Sequence, residues 1–548
     1  MSAPLKKNDD ISPEITGMTA ECAGVGRHEG FAVFVPGALP GEKVEAHIIK
    51  VTGKYAVGKL TNVLVPSPER VSPDCPASLR CGGCALQHMR YEAQLEFKRG
   101  LVRDALERIG GFAGIEVLPV LGMDEPHHYR NKGSFPFGEE DGRVVWGLYA
   151  PRSHRLISVK SCMIEDESAV KAAEAVCEWA NEAGVPAYDE TAHRGILRHV
   201  VARRCTGGCA VCVVTTGKLP RKDLLIQRLT SALPDLKSIV HNVNNEDTNV
   251  ICGREYRLIY GSEAVSHTLC GLEYLVSAES FLQVNTRQTE RLYRLAVDGL
   301  ELTGGETAAD LFCGIGTMTL MLAQRAKEVF GIEYVPRAVE DAKRNAELNG
   351  IGNAEFLAGP AEEILPRLVS GGKRFDAIVL DPPRKGADPA VLDAIAESGA
   401  ERVAYVSCDP ATLARDLKLL RGYGYGIKSV QPVDMFPFTG HVETVVLLCR
   451  KHVEAERHIS VTIETEDGWR ADKPVKATYG QVKDWVSKHY NGMKVSSLYI
   501  AQVKQKHGII ERENYNKPKR EGGRVPRVPP DKEEAIEAAL RDFKLIEN

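Results

Sequence analysis

From about residue 275 to 450 the chain alternates helical stretches with short, continuous apolar runs, a pattern few folds accept. The runs are Thr307-Ala308-Ala309-Asp310-Leu311-Phe312, Glu328-Val329-Phe330-Gly331-Ile332-Glu333, Ala377-Ile378-Val379-Leu380-Asp381, Val403-Ala404-Tyr405-Val406 and Thr444-Val445-Val446-Leu447-Leu448. A strand that is apolar along its whole length is buried on both faces, so the pattern predicts an α/β fold with a parallel sheet covered by helices. Such sheets bind ligands and do chemistry in loops at the carboxyl ends of their strands. Cys408 falls in such a loop, just past the fourth run. With a glycine-rich loop and a carboxylate before it and Glu443 after it, it suggests group transfer through a covalent intermediate.

The other 370 or so residues need cores of their own, and three or four domains are expected for 548 residues. The first 66 residues carry short alternating runs, Ala32-Val33-Phe34-Val35, Val44 to Ile49 and Tyr55 to Leu60, broken at Pro36-Gly37 and Leu39-Pro40-Gly41. They predict a small β-barrel. Pro66-Ser67-Pro68 reads as a linker. Tyr91, Leu95, Phe97, Leu101, Ala105, Leu106 and Ile109 outline an amphipathic helix ended by Gly110-Gly111. Residues from about 115 to 270 mix strands and helices. Past 453 the pattern predicts two helices, Tyr479 to Tyr490 and Val495 to Gln505, around an Asn491-Gly492 turn, then a loose Pro/Gly/Lys/Arg-rich stretch from Asn514 to Pro530.

No apolar run is long enough to span a bilayer and the start lacks a signal-peptide core, so a cytoplasmic protein is expected. In that compartment fourteen cysteines point to thiol chemistry or metal rather than disulfides. A net charge of -4 leaves nucleic-acid contact to local basic patches. One candidate patch is Arg194, Arg198, Arg203, Arg204, Lys218, Arg221 and Lys222.

Asp310-Leu311-Phe312-Cys313-Gly314-Ile315-Gly316-Thr317 joins a strand to a helix, and its two glycines let the backbone approach a ligand. The next strand ends on Glu333, about 20 residues on, where an acid suits ribose hydroxyls. A nicotinamide dinucleotide asks for a third glycine in a G-x-G-x-x-G frame, and Leu320 does not supply a small residue there. With Asp381 at the end of a third strand, the set fits S-adenosylmethionine (SAM). In Asp381-Pro382-Pro383-Arg384 the prolines stiffen the loop that holds the carboxylate. Arg384 follows where amino-methylating enzymes often carry an aromatic residue.

These motifs, in order, resemble the RNA uracil-C5-methyltransferase family, the makers of 5-methyluridine. The resemblance covers residues 1 to about 452. It rests on Cys75-x5-Cys81-Gly82-Gly83-Cys84 with Cys162, Ser280-Phe281-Leu282-Gln283-Val284-Asn285, the Asp310–Gly314 loop, Asp381-Pro382-Pro383-Arg384, Ser407-Cys408-Asp409-Pro410-Ala411-Thr412-Leu413-Ala414-Arg415-Asp416 and His441-Val442-Glu443-Thr444. It implies a Rossmann-like SAM-dependent methyltransferase domain of residues 90–110 and 271–452, with the helix near 90–110 packed back on it. It further implies an OB-like TRAM barrel over 1–66 and a central α/β domain of 67–89 and 111–270. A helical appendage, 453–548, is left as a further candidate for RNA contact.

The chemistry such enzymes perform makes sense of the residues. Uracil C5 is a poor nucleophile, and thiolate attack at C6 pushes electron density onto it; a base must later remove the C5 proton. The resemblance casts Cys408 as nucleophile and Glu443 as base. It casts Gln283, Phe312, Glu333 and Asp381 as SAM contacts, with Gly314 and Gly316 shaping the loop. Thr317 and Asp409 stand where relatives often have asparagine. The spacing of Cys75, Cys81, Cys84 and Cys162 admits zinc or an iron–sulfur cluster; the resemblance implies [4Fe–4S]. Cys205, Cys209 and Cys212 fall on a strand pattern and are left unassigned, and Cys313 is expected to pack. The expected partner is structured RNA, 23S ribosomal RNA before transfer RNA, with no membrane and no obligate protein partner. Competing readings are an amino-methyltransferase that does not need Cys408, and an RNA-binding protein without turnover.

Overall fold

The computed structural model describes residues 4–248, 250–450, 479–490, 492–507 and 528–542. The chain divides into two compact units, Met1–Val453 and Glu454–Asn548.

The first unit opens with a six-stranded sheet in the order Asp10–Ile11, Lys43–Val51, Tyr55–Val65, Phe31–Pro36, Ala23–His28, Ile15–Met18. Alternation along its strands puts Val33, Val35, Val44, Ala46 and Ile48 into one apolar core.

A seven-stranded sheet follows, ordered Glu255–Gly261, Leu236–Val243, Gly208–Thr215, Leu197–Cys205, Lys132–Glu140, Arg143–Tyr149, Leu156–Ser158. The helices Glu167–Ala183 and Lys222–Ala232 pack on it around Phe135 and Trp179. Cys205, Cys209 and Cys212 are buried on two of its strands. The expected basic patch is corrected here. Arg198 is 3% exposed and donates to Glu190 and to the Asn244 carbonyl; Arg203 is 5% exposed and donates to the Ser280 carbonyl. Arg204 pairs with Asp235. Of that set, Arg194, Lys218, Arg221 and Lys222 are exposed.

The last large sheet is ordered Ala354–Ala358, Glu328–Glu333, Thr307–Leu311, Ala377–Leu380, Arg402–Ser407, Glu443–Arg450, Tyr425–Val433. It is parallel except for Glu443–Arg450, which runs antiparallel to both neighbours. Its order reverses between Thr307–Leu311 and Ala377–Leu380, and such a switch point opens a ligand crevice.

The helix Tyr91–Arg108 buries Val102 and Leu106 in the same core as Ile378, Tyr405 and Leu417. Its buried stripe is Gln94, Lys98, Val102 and Leu106. The expected stripe through Tyr91, Leu95, Phe97 and Leu101 is only half-buried, and Ile109 is 44% exposed. The polar residues face inward because they have partners there. Lys98 Nζ lies 2.5 Å from Asp434 and donates to the Phe436 carbonyl at 3.0 Å. The Gln94 amide donates to the carbonyls of Leu86 and Met89.

The second unit contains the helices Tyr479–His489, Ser497–Lys506 and Pro530–Asp542. They share a core of Val482, Val486, Ile500, Val503, Ile536 and Leu540. The third helix was not anticipated. Asn491 and most of the stretch expected to be loose, residues 514–527, lie outside the described residues.

Candidate active site

The candidate cofactor loop, 310–317, is built by strain and by one carboxylate. Phe312 takes φ 72°, which a non-glycine residue adopts at a cost of roughly 1–3 kcal/mol. Its amide and that of Cys313 donate to the Ile332 carbonyl at 2.9 and 3.0 Å, locking the turn onto the next strand. Glu333 accepts from the Gly314 amide at 3.0 Å with one oxygen and from the Val335 amide at 2.8 Å with the other. Gly316, at φ 87°, starts the helix Thr317–Ala323; a Cβ there would sit 3.2 Å from the Ala342 methyl. Cys313 is 4% exposed and part of the core.

Asp381 ends its strand beside this loop. The chain after it is tied to the next helix: Thr412 Oγ1 donates to the Arg384 carbonyl at 3.2 Å and Arg415 to the Lys385 carbonyl at 2.9 Å. Cys408 is half-buried immediately before the helix Pro410–Gly422. Asp409 caps that helix, accepting from the Ala411 and Thr412 amides at 2.9 and 3.0 Å. A helix amino terminus favours negative charge, here beside a thiol. Glu443 opens the antiparallel strand, is 3% exposed, and its Oε2 has no hydrogen-bond partner among the described residues.

These side chains converge. A cavity of about 760 Å³ is lined by Gln283, Phe312, Gly314, Glu333, Asp381, Cys408 and Glu443. Gly316 is off its wall and acts through the turn alone. The cavity is short of positive charge. Burial, then Asp310, lifts Asp381 to about 7. Burial, then Asp381, lifts Glu443 to about 8, with Arg384 opposing. Burial, then Glu443 and Asp381, lifts the Cys408 thiol to about 11, again opposed by Arg384. A cationic ligand would relieve all three groups.

A second cavity, of about 880 Å³, is lined by Cys75, Cys81, Cys84 and Cys162. Cys408, Arg384, Phe436 and His441 line both cavities, so the thiol stands where the two meet. Burial, then Cys162 and Cys81, pushes Cys84 up to about 12. Among the described residues, no group of three or more His, Cys, Asp or Glu side chains is arranged to hold a metal ion. Four thiols lining one cavity are nevertheless a donor set whose chemistry suits a soft metal centre. Arg384 and His441 were read only as parts of motifs. Their signal was adjacency, Arg384 three residues after Asp381 and His441 two before Glu443. Phe436 carried no signal.

Residues 247–451 match the tRNA (Uracil-5-)-methyltransferase family and residues 14–61 the TRAM domain. The chain is 49% identical over 449 residues to an uncharacterized RNA methyltransferase of Halalkalibacterium halodurans, covering 81% of this chain and 98% of that one. It is 46% identical over 448 residues to one from Clostridium tetani, covering 81% and 97%. Its fold is similar to that of the Pyrococcus abyssi tRNA (uracil-54, C5)-methyltransferase solved with S-adenosyl-L-homocysteine. The TM-score is 0.66 at 29% identity, over 80% of this chain and all of that one. The fold and these relatives define a SAM-dependent methyltransferase. The chain belongs to the RNA uracil-5-methyltransferase family, with a TRAM domain at its amino-terminal end.

Proposed function

We propose that the protein makes 5-methyluridine in structured RNA, with 23S ribosomal RNA its substrate ahead of transfer RNA. The observation that carries this reading is that Cys408 and Glu443 line one cavity with Gln283, Phe312, Glu333 and Asp381. A thiol and a base beside a SAM-type crevice are what C5 methylation requires and amino-methylation does not.

Cys408 Sγ, as thiolate, bonds to C6 of an extruded uracil and the electron pair of the C5–C6 bond moves to form an enolate. SAM, when bound, supplies the electrophilic methyl that C5 takes. The Glu443 carboxylate then removes the C5 proton, and elimination breaks the S–C6 bond to free Cys408 and 5-methyluridine. Arg384, the cation that opposes the raised values of both Cys408 and Glu443, favours the two ionised forms this sequence needs. Glu333 and Gln283 orient the cofactor, and the base reaches Cys408 only when flipped from its stack.

In the same reading Cys75, Cys81, Cys84 and Cys162 hold a [4Fe–4S] cluster, favoured over zinc. A cluster held by these residues would be structural or RNA-positioning, since methyl transfer involves no redox step. The TRAM barrel, 1–66, grips RNA as OB-like folds do, the central residues 67–89 and 111–270 carry the cysteines, and 90–110 with 271–452 carry the chemistry. The test is mass spectrometry of nucleosides from unmodified ribosomal and transfer RNAs incubated with protein and SAM. New 5-methyluridine, absent with Cys408→Ala, is expected. A different methylated nucleoside, or turnover that survives Cys408→Ala, would overturn the reading.

A further inference from the structure

The central sheet has two faces with different companions. The helices Glu167–Ala183 and Lys222–Ala232 cover the face that carries Cys209, Val211, Val213 and Ile239. Alternation puts Cys212 on the other face, opposite Val201 on one neighbouring strand and Val240 on the next. Asn242, two residues on from Val240 and so on that same face, stands opposite Tyr256. Asn242 and, just past the strand, Asn244 fold the following loop back over this face. The Asn242 side chain accepts from the Gly253 amide at 2.7 Å and donates to the Gly253 carbonyl at 3.0 Å. Asn244 donates to the carbonyls of Val250 and Ile251 at 2.7 and 3.1 Å. Cys252, between these anchors, is laid on a small cluster of Cys212, Val214 and Val240, together with Tyr256 and Ala278.

The two cysteines meet thiol to thiol, and the surroundings divide their roles. Cys212 donates to the Cys252 sulfur, and this, with the Tyr256 hydroxyl as a second donor and the Lys132 ammonium nearby, holds the Cys252 thiol below its ordinary value in spite of burial. Donating to Cys252, and burial, push Cys212 well up. Cys252 is therefore the thiolate of the pair and Cys212 the thiol that keeps its proton, an attacking sulfur beside a resolving one. Access differs in the same sense. Cys252 is half-buried and follows the exposed Val250 and Ile251, whereas Cys212 is 5% exposed. Tyr256 in turn lines the cavity that has Gln283 and Asp381 on its walls, and Ala278 leads into Glu279 and Ser280 of the same wall.

We propose that Cys212 and Cys252 are an oxidation site, a dithiol that hydrogen peroxide converts to a disulfide and that, through Tyr256, sets the affinity of the neighbouring cavity for SAM. It rests on the reading of that cavity as the cofactor site. The Cys252 thiolate attacks one peroxide oxygen: an S–O bond forms, the O–O bond breaks, and the departing hydroxide takes a proton from solvent to leave as water. The Cys212 sulfur then displaces the hydroxyl of the sulfenic acid: the S–S bond forms, the S–O bond breaks, and the Cys212 proton leaves with the hydroxyl as a second water. The thiols are oxidised by the two electrons that the peroxide gains. Tyr256 thereby loses its thiolate acceptor. Disulfides in a reducing compartment are transient ones of this sensing kind.

The experiment treats full-length protein, purified without air, with equimolar hydrogen peroxide, and compares wild type with Cys252→Ser. Mass spectrometry of unreduced tryptic peptides should find residues 205–218 cross-linked to 238–254 through Cys212 and Cys252. Calorimetry should show SAM bound about tenfold more weakly after oxidation and normally again after dithiothreitol, with neither change in Cys252→Ser. In the untreated protein iodoacetamide should modify Cys252 before Cys408, whose thiol burial lifts to about 11. Peroxide that leaves Cys252 untouched, or iodoacetamide that takes Cys408 first, would overturn the oxidation site. A disulfide that leaves SAM affinity within about twofold, or an equal loss of affinity in Cys252→Ser, would overturn the link through Tyr256. Should Cys252→Ser lose its circular-dichroism spectrum, the cross-link and its reversal in the wild type decide. Reduced wild-type protein that binds no SAM would overturn the cofactor reading, and the cross-link would still decide the oxidation site.

Discussion

Lys98→Met tests how the helix Tyr91–Arg108 is held to the segment that follows the strand Tyr425–Val433. Lys98 and Asp434 are both fully buried, 2.5 Å apart, and 336 residues apart in sequence. Methionine keeps most of the apolar stem and removes the charge, leaving the Asp434 carboxylate, among the described residues, with the Tyr91 hydroxyl at 2.8 Å. Breaking a buried pair by removing one partner costs about 3–5 kcal/mol. At 1.36 kcal/mol per tenfold, opening of this contact should become at least a hundred times more frequent. Amide hydrogen exchange read by mass spectrometry should therefore speed up by about that factor across residues 91–108 and 434–438. The central sheet, Leu197–Thr215, should be unchanged. Adding Asp434→Asn should recover most of the loss, because the amide is neutral and its oxygen still accepts from Tyr91. Exchange in Lys98→Met within about threefold of wild type would refute the argument. So would a double variant as loose as the single one, which would mean packing rather than charge holds the helix.

Glu443 and Asp381 are raised to about 8 and about 7, far above their values in an unfolded chain. At these two groups the folded protein holds protons that the unfolded one has lost between about pH 4 and 8, so their contribution to stability falls as pH rises through that window, while the buried His88 and His199, lowered to about 4, contribute the other way below about pH 6.5. In thermal unfolding without SAM, the melting temperature of Glu443→Gln relative to the wild-type protein should therefore rise between about pH 6.5 and 8, and a difference that stays flat or falls there would contradict it. Glu333→Ala removes the acceptor of the Gly314 and Val335 amides and should weaken SAM binding by at least about tenfold in calorimetry, each such charged bond being worth roughly 1.5–3 kcal/mol. Unchanged affinity would show that the loop holds its shape unaided.

The central strands of the catalytic sheet were legible because burial on both faces writes itself as an unbroken apolar run. The edge strands Ala354–Ala358 and Tyr425–Val433 were missed because each is buried only at intervals, so polar residues interrupt it. The inward face of Tyr91–Arg108 was misread for a related reason. Gln94 and Lys98 are inside because of partners at Leu86, Met89 and Asp434, and sequence periodicity carries no information about distant partners. The same holds for Arg198 and Arg203, which look like surface cations until Glu190 and the Ser280 carbonyl are seen beside them. The placement of Cys408, Asp381 and Glu333 was readable, as each ends or follows a strand at the sheet's carboxyl edge, while their roles were taken from the family pattern. Glu443 needed the family pattern, and the meeting of Cys252 with Cys212 needed coordinates.

The most direct test of the central claim is whether Cys408 bonds to the base. RNA in which uridine is replaced by 5-fluorouridine carries at C5 an atom that a base cannot remove as a proton, so elimination is blocked and the adduct should persist. After incubation with SAM and nuclease digestion, intact-protein mass spectrometry should show one added methylated fluorouridine nucleotide, mapped to the peptide bearing Cys408 and absent from Cys408→Ala. Methylation of ordinary RNA with no trapped adduct, or an adduct on another residue, would contradict the account.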